Sequence, residues 1–112
     1  MDAIQWPEGK KCAVMFSFDL DGDTTWENGN RGLPNGEQYI KSVGQYGPKR
    51  CADRILDKLD QYGVKATFFI PGLTAQRYPE VVKRIAAAGH EIGLHGYAHE
   101  RFAGKTTEEQ IE

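Results

Sequence analysis

The chain has 112 residues, 27% of them charged and 39% hydrophobic, with a formal net charge of −2. This is a globular composition at single-domain size. The interspersed charges of both signs argue against a nucleic-acid partner, which calls for a basic face, and no apolar run approaches the roughly 18 residues of a membrane span. The opening Met1–Glu8 lacks the basic and apolar regions of a secretory leader. Cys12 and Cys51 each sit in an apolar segment without metal-type spacing, so the expectation is a cytoplasmic protein with two buried free thiols.

In chain order, a polar lead-in over residues 1–11 precedes the apolar run Cys12–Phe18, which reads as a strand covered on both faces of a parallel sheet. It ends at Asp19-Leu20-Asp21-Gly22-Asp23, three carboxylates in five positions. The stretch to about Gly47 is polar and rich in Gly, Asn and Pro, and reads as a long connection, with Trp26 anchoring its own loop. After Pro48, the residues Cys51, Ala52, Ile55, Leu56, Leu59 and Tyr62 recur with helical period, and Gly63 stands where a helix stop belongs. Val64–Ile70 is the second strand, closed by Pro71-Gly72. A second helix spans Pro79 to Ala88, with Val81, Val82, Ile85 and Ala86 inward and Gly89 as its stop; His90–His95 is the third strand. The alternation predicts parallel strands joined by helical crossovers. Thr106 with Glu109 forms a capping box opening a last short helix. Three strands with unpaired edges and a short closing helix read as the front part, residues 1–112, of a larger α/β domain, with self-association favoured by the exposed edges.

All three histidines, His90, His95 and His99, fall in the run Gly89–Glu100. His95 and His99 are four apart, a spacing that aims both imidazoles one way on a helical turn or in a tight loop after a strand. In parallel α/β domains the active site forms at the carboxyl ends of the strands. Asp19 and Asp21 leave strand one there, and His95 and His99 leave strand three there, so all four reach one rim. One carboxylate and two imidazoles make a three-ligand divalent-metal site with positions open to substrate. One carboxylate and two imidazoles accept zinc, cobalt, nickel or iron. His90, at the far end of its strand, reads as structural.

Phe18-Asp19-Leu20-Asp21-Gly22, the strand Val64–Phe69, and Gly89-His90-Glu91-Ile92-Gly93 leading to His95-Gly96-Tyr97-Ala98-His99 resemble the polysaccharide deacetylase family, carbohydrate esterase family four. The resemblance runs over nearly the whole chain. It implies the front portion of a deformed (β/α) barrel and metal-dependent hydrolysis of a carbon–nitrogen amide bond, with de-N-acetylation of an N-acetylated sugar or polysaccharide as the leading activity. It further implies Asp21, His95 and His99 as metal ligands, zinc foremost, and Asp19 as the base that takes the proton from the attacking water. Leu20 separates the two aspartates where the commoner family pattern has them adjacent. That D-x-D form resembles an intracellular subgroup that includes cyclic amide and imide hydrolases of the allantoinase kind. The family's base-orienting arginine and general-acid histidine are expected beyond Glu112, which predicts a poorly active chain in isolation.

Two readings of other classes compete. Asp19-Leu-Asp21-Gly-Asp-Thr24 also resembles the first motif of haloacid-dehalogenase-type phosphatases, although Asp23 stands where that motif has Thr and the histidine pair is left without a role. A calcium loop fails because Thr24 and Asn30 occupy the places of the required Gly and Glu. The non-enzymatic alternative is a chain that binds a metal or a carbohydrate without turning it over.

Overall fold

The computed structural model describes residues 6–25, 36–100 and 103–111. Three parallel strands, β1 (Ser17–Asp19), β2 (Thr67–Ile70) and β3 (Glu91–Leu94), lie in the order β1-β2-β3. Between them run α1 (Gly36–Tyr46), α2 (Ala52–Gln61), α3 (Gly72–Arg77) and α4 (Pro79–Ala87), and α5 (Thr107–Ile111) follows. The register aligns Asp19 with Phe69 and Phe69 with Gly93. The expected alternation of parallel strands with helices is present.

Side-chain alternation gives the sheet two different faces. Phe18, Phe68 and Ile70 turn to the helices, where Phe68 and Ile70 join Ala52 and Leu59 of α2 and Val81 and Ile85 of α4 in the core. The Phe18 and Phe68 rings lie 5.2 Å apart. Ser17, Asp19, Thr67, Phe69 and Gly93 occupy the opposite face, which is half-buried to exposed.

The helix ends behave as read. Gly63 (φ 63°) and Gly89 (φ 74°) adopt the left-handed backbone that terminates α2 and α4. Each donates to the carbonyl three residues back, Asp60 and Ala86, and the next residue reaches five back, Val64 to Leu59 and His90 to Ile85. The capping box closes as well. Thr106 N–H donates to Glu109 Oε2 at 2.8 Å, and Glu109 N–H donates to Thr106 Oγ1 at 3.3 Å.

Other expectations are corrected. The run Cys12–Phe18 is not a strand covered on both faces. Only Ser17–Asp19 pairs with β2, and Val14 and Met15, which precede the strand, are 74% and 93% exposed. Cys12 is exposed and Cys51 half-buried, both unbridged, so neither is the buried thiol expected. Tyr62 and Ala86 face solvent rather than the core. The connection before Gly47 contains α1, while Trp26 lies outside the described residues. Pro48 does not begin a helix; α1 runs on through one wide π-helical turn, Gly47–Cys51, into α2. A proline has no N–H for an i−4 carbonyl and its ring crowds the preceding turn, so the widened turn admits it inside the helix.

His90 is structural, as read. It is buried, its ring stands 5.6 Å from Phe68, and its Nδ1 accepts the Ala66 N–H at 3.3 Å. Burial first, and the neighbouring Lys65 charge second, hold its pKa below the ordinary 6.5.

Two outcomes follow. Phe68→Ala should cost about 3–5 kcal/mol of unfolding free energy, measured by denaturant titration. Because His90 binds a proton less readily folded than unfolded, its contribution to stability is complete above pH 6.5 and is lost as the pH falls from there toward the depressed folded value. Unfolding free energies at pH 7.5 and 5.5 should therefore differ more in the unaltered chain than in His90→Asn, which keeps a neutral acceptor for Ala66. Equal differences would remove His90 as a source of acid sensitivity.

Candidate metal centre

Asp21 lies just past β1, where the chain turns sharply through Gly22 (φ 64°). A Cβ at Gly22 would come within 3.2 Å of the Thr74 side chain, and one at Gly44 would fall 2.5 Å from the Asp23 backbone, so the turn is packed against both α3 and α1. The Asp21 carbonyl accepts from Thr24 N–H at 3.3 Å, Thr24 Oγ1 at 2.7 Å and Thr74 Oγ1 at 2.5 Å. Thr25 Oγ1 donates to Asp21 Oδ2 at 2.9 Å.

His95 directly follows β3, and His99 comes after a loop that is not a helical turn. Gly96 (φ 68°) and His99 (φ 58°) both take the left-handed backbone. For a histidine this is uncommon and unfavourable, and such conformations persist where surroundings enforce them, often at functional sites. The first-turn amides of α3 lack partners within the helix. Gly72 N–H donates to Gly96 O at 3.0 Å and Leu73 N–H to Tyr97 O at 2.8 Å. The Tyr97 ring covers Gly72 so closely that a Cβ there would sit 2.8 Å from it, and Tyr97 Oη donates to Gln76 Oε1 at 3.1 Å. Glu100 turns back to accept the Ala98 N–H at 2.9 Å.

These supports bring together Asp21, His95 and His99, one ligand atom from each lying within 4.8 Å of the others. His95 Nε2 is 3.5 Å from Asp21 Oδ1, His99 Nε2 is 3.7 Å from Asp21 Oδ2, and all three side chains are about a quarter to a third exposed. The imidazole rings meet edge to face, 5.0 Å apart. Charge-assisted N–H···O bonds run about 2.7–2.9 Å, so these separations are too long for direct pairing. Two ligands about 2.0–2.1 Å from one tetrahedral ion stand roughly 3.4 Å apart, close to what is seen here. Asp21 Oδ1 is buried without a hydrogen-bond partner among the described residues. A buried carboxylate oxygen left unpaired is costly. An oxygen and two imidazole nitrogens suit a divalent transition ion, so the residues fit a metal.

Asp19 ends β1, is exposed, and stands outside the three-residue group. Its register places it on the sheet face that carries Phe69, whose ring centroid is 6.5 Å from that of His95. Phe69 thus borders the site, and Phe68 belongs to the core. Asp23, the third carboxylate of the cluster, is buried and paired with Arg77 Nη1 at 3.0 Å, with Tyr78 Oη at 3.5 Å. It is a packing group that the spacing alone does not separate from its neighbours. Thr74 and Gly72, which hold the Asp21 turn and the histidine loop, carried no signal in the sequence beyond the Pro-Gly punctuation at Pro71.

Gly72→Ala should displace the Tyr97 ring and with it the segment carrying the histidines, weakening Zn²⁺ binding by roughly 10-fold or more, as changes around metal ligands do. A chelator-competition titration measures this, and an unchanged affinity would mean that the ring's packing does not hold the histidines.

Comparisons with known proteins bear on the family and the fold. Residues 36–112 match the family described as polysaccharide deacetylase. A peptidoglycan-N-acetylglucosamine deacetylase of Bacillus cereus is 38% identical over 92 residues, covering 81% of this chain and 40% of that protein. A solved Mycobacterium smegmatis structure assigned to the polysaccharide deacetylases superposes with a TM-score of 0.83 at 42% identity, covering 92% of this chain and 36% of that one. The Puue allantoinase structure superposes with a TM-score of 0.80 at 22% identity, over 94% of this chain and 40% of that one, a likeness of fold. The chain spans less than half the length of the curated relatives it matches. With a family match over residues 36–112 and parallel strands of the (β/α)-barrel kind, the chain belongs to the polysaccharide deacetylase family.

Proposed function

We propose that this chain serves metal-dependent hydrolysis of a non-peptide amide, removing the acetyl group from an N-acetylated sugar polymer. The convergence of Asp21, His95 and His99 at the carboxyl end of the sheet carries the reading. The relatives that share this part of the fold and are named peptidoglycan or chitooligosaccharide deacetylases support the substrate class. Asp21, His95 and His99 would hold the ion, and zinc suits this donor set, with cobalt, nickel and iron also accommodated. A divalent ion held there supplies Lewis acidity toward the amide carbonyl and acidifies water.

The remaining work belongs to the chain's own groups. Asp19, exposed at the end of β1 on the face shared with Phe69, is the carboxylate left over to accept the proton of the attacking water. Phe69, half-buried beside His95, offers an apolar border for an acetyl methyl. His90 cannot donate the proton needed by the departing nitrogen, since it is buried and its Nδ1 is committed to Ala66. That donor comes from outside these histidines. Cyclic amide hydrolysis is kept as the second reading because buried Leu20 separates the two aspartates. The phosphatase reading gives the converged histidines no task. The exposed apolar residues Val14 and Met15, just before β1, support self-association.

Elemental analysis comes first: near-stoichiometric transition metal in the purified chain, lost in His95→Ala, is the expected result. No bound metal after reloading would sink the proposal. Acetate release from N-acetylglucosamine oligomers, set beside ring opening of a cyclic imide, then separates the substrate classes. Asp19→Asn should keep the metal while hydrolysis falls about 10²–10⁴-fold, the usual worth of a general base.

A further inference from the structure

One short helix touches both halves of the site. At its first turn, α3 donates Gly72 N–H and Leu73 N–H to the carbonyls of Gly96 and Tyr97, between the two histidines. In the same turn, Thr74 Oγ1 donates to the carbonyl of Asp21 itself, 53 residues away in sequence. At its last residue, Arg77 pairs with buried Asp23, two positions beyond Asp21. The carboxylate ligand and the histidine ligands come from different strands and are separated by more than seventy residues of chain. Their spacing therefore depends on what both segments are fastened to.

We infer that Thr74 is a positioning residue for the metal centre: its hydroxyl, with the first-turn amides of α3, sets the separation between the Asp21 carboxylate and the His95/His99 pair. Thr74 is fully buried, so its hydroxyl has no solvent partner to exchange for the Asp21 carbonyl. Its side chain also packs where Gly22 lacks a Cβ, which fixes the turn from the other side. Releasing the carbonyl would let the Asp21 backbone drift from α3 while the histidine loop stays fastened to it. The ligand atoms, now within 4.8 Å of one another, would spread. The inference rests on the metal reading above and adds to it a residue whose hydroxyl is bonded to the backbone of Asp21.

The test is Co²⁺ binding to the full chain, read both as an affinity and as the visible absorption of the bound ion, which reports the geometry of its ligands. Thr74→Val keeps the shape and removes the hydroxyl. It should weaken Co²⁺ binding by roughly 10–100-fold, the range found when an outer group that orients metal ligands is lost, and should alter the absorption bands. Thr74→Ser should retain both. Ile85→Val, which perturbs the fully buried core away from α3, controls for loss of stability and should bind like the unaltered chain at temperatures where all variants are folded. Wild-type affinity and spectrum in folded Thr74→Val would overturn the inference, as would equal weakening in the Ser and Val variants. If Thr74→Val loses its far-UV helical signal, Thr74→Ala against Thr74→Ser asks the same question, and equal binding by the two overturns it. Absence of Co²⁺ binding in the unaltered chain would instead bring down the metal reading, and this inference with it.

Discussion

The site depends on one row of the parallel ladder, in which Asp19, Phe69 and Gly93 stand side by side across three strands. Parallel strands in fixed register end at the same rim, so whatever leaves β1 and β3 one or two residues later must meet there. Asp21 and His95 are each two residues past that row. Gly93 permits the row to close, since a Cβ there would lie 2.5 Å from the Phe69 ring. A one-residue slip of β3 would send the His95 side to the helix-covered face. The ladder therefore decides which residues can cooperate before any side chain is placed.

The ladder is anchored from one side. Phe68 and Ile70 bury against α2 and α4, and the Arg84–Asp53 pair at 2.9 Å joins these helices at their exposed surface. An exposed pair of this kind contributes about 0–1 kcal/mol, so the apolar contacts hold the helices on the sheet. The other face carries Asp19, Thr67 and Phe69 with greater exposure, which leaves the polar groups there open to solvent. Core and site thus occupy opposite faces of three strands, and residues such as Phe68 and Phe69 serve different ends while adjacent in the chain.

Within the rim, backbone groups do as much as side chains. The amides that α3 cannot satisfy internally are given to the histidine loop, and the loop's left-handed residues Gly96 and His99 bend it back over the helix. Asp21 is held chiefly by its carbonyl, which leaves its carboxylate turned toward two imidazoles with Oδ1 unpaired among the described residues. Holding Asp21 by its backbone leaves Oδ1 uncommitted, while Oδ2 accepts from Thr25.

The features legible from residue order alone are local: the glycine stops at Gly63 and Gly89, the Thr106–Glu109 box, the alternation of apolar strand and helix, and the histidine pair four residues apart. Each is encoded within about one or two turns of chain, where spacing and conformational preference are enough. The arrival of Asp21, His95 and His99 at one rim was also legible, because parallel strand order forces it. The tertiary structure decided the rest. Asp23 differs from Asp19 and Asp21 only through Arg77 and Tyr78, more than fifty residues on. Val14 and Met15 are exposed because the paired strand begins only at Ser17. The helix α3, too short and too near Pro71-Gly72 to announce itself by periodicity, takes its importance from partners at Asp21 and Gly96, just beyond the ends of other strands. Contacts at that distance along the chain leave no pattern in neighbouring residues; they exist only once the strands are in register.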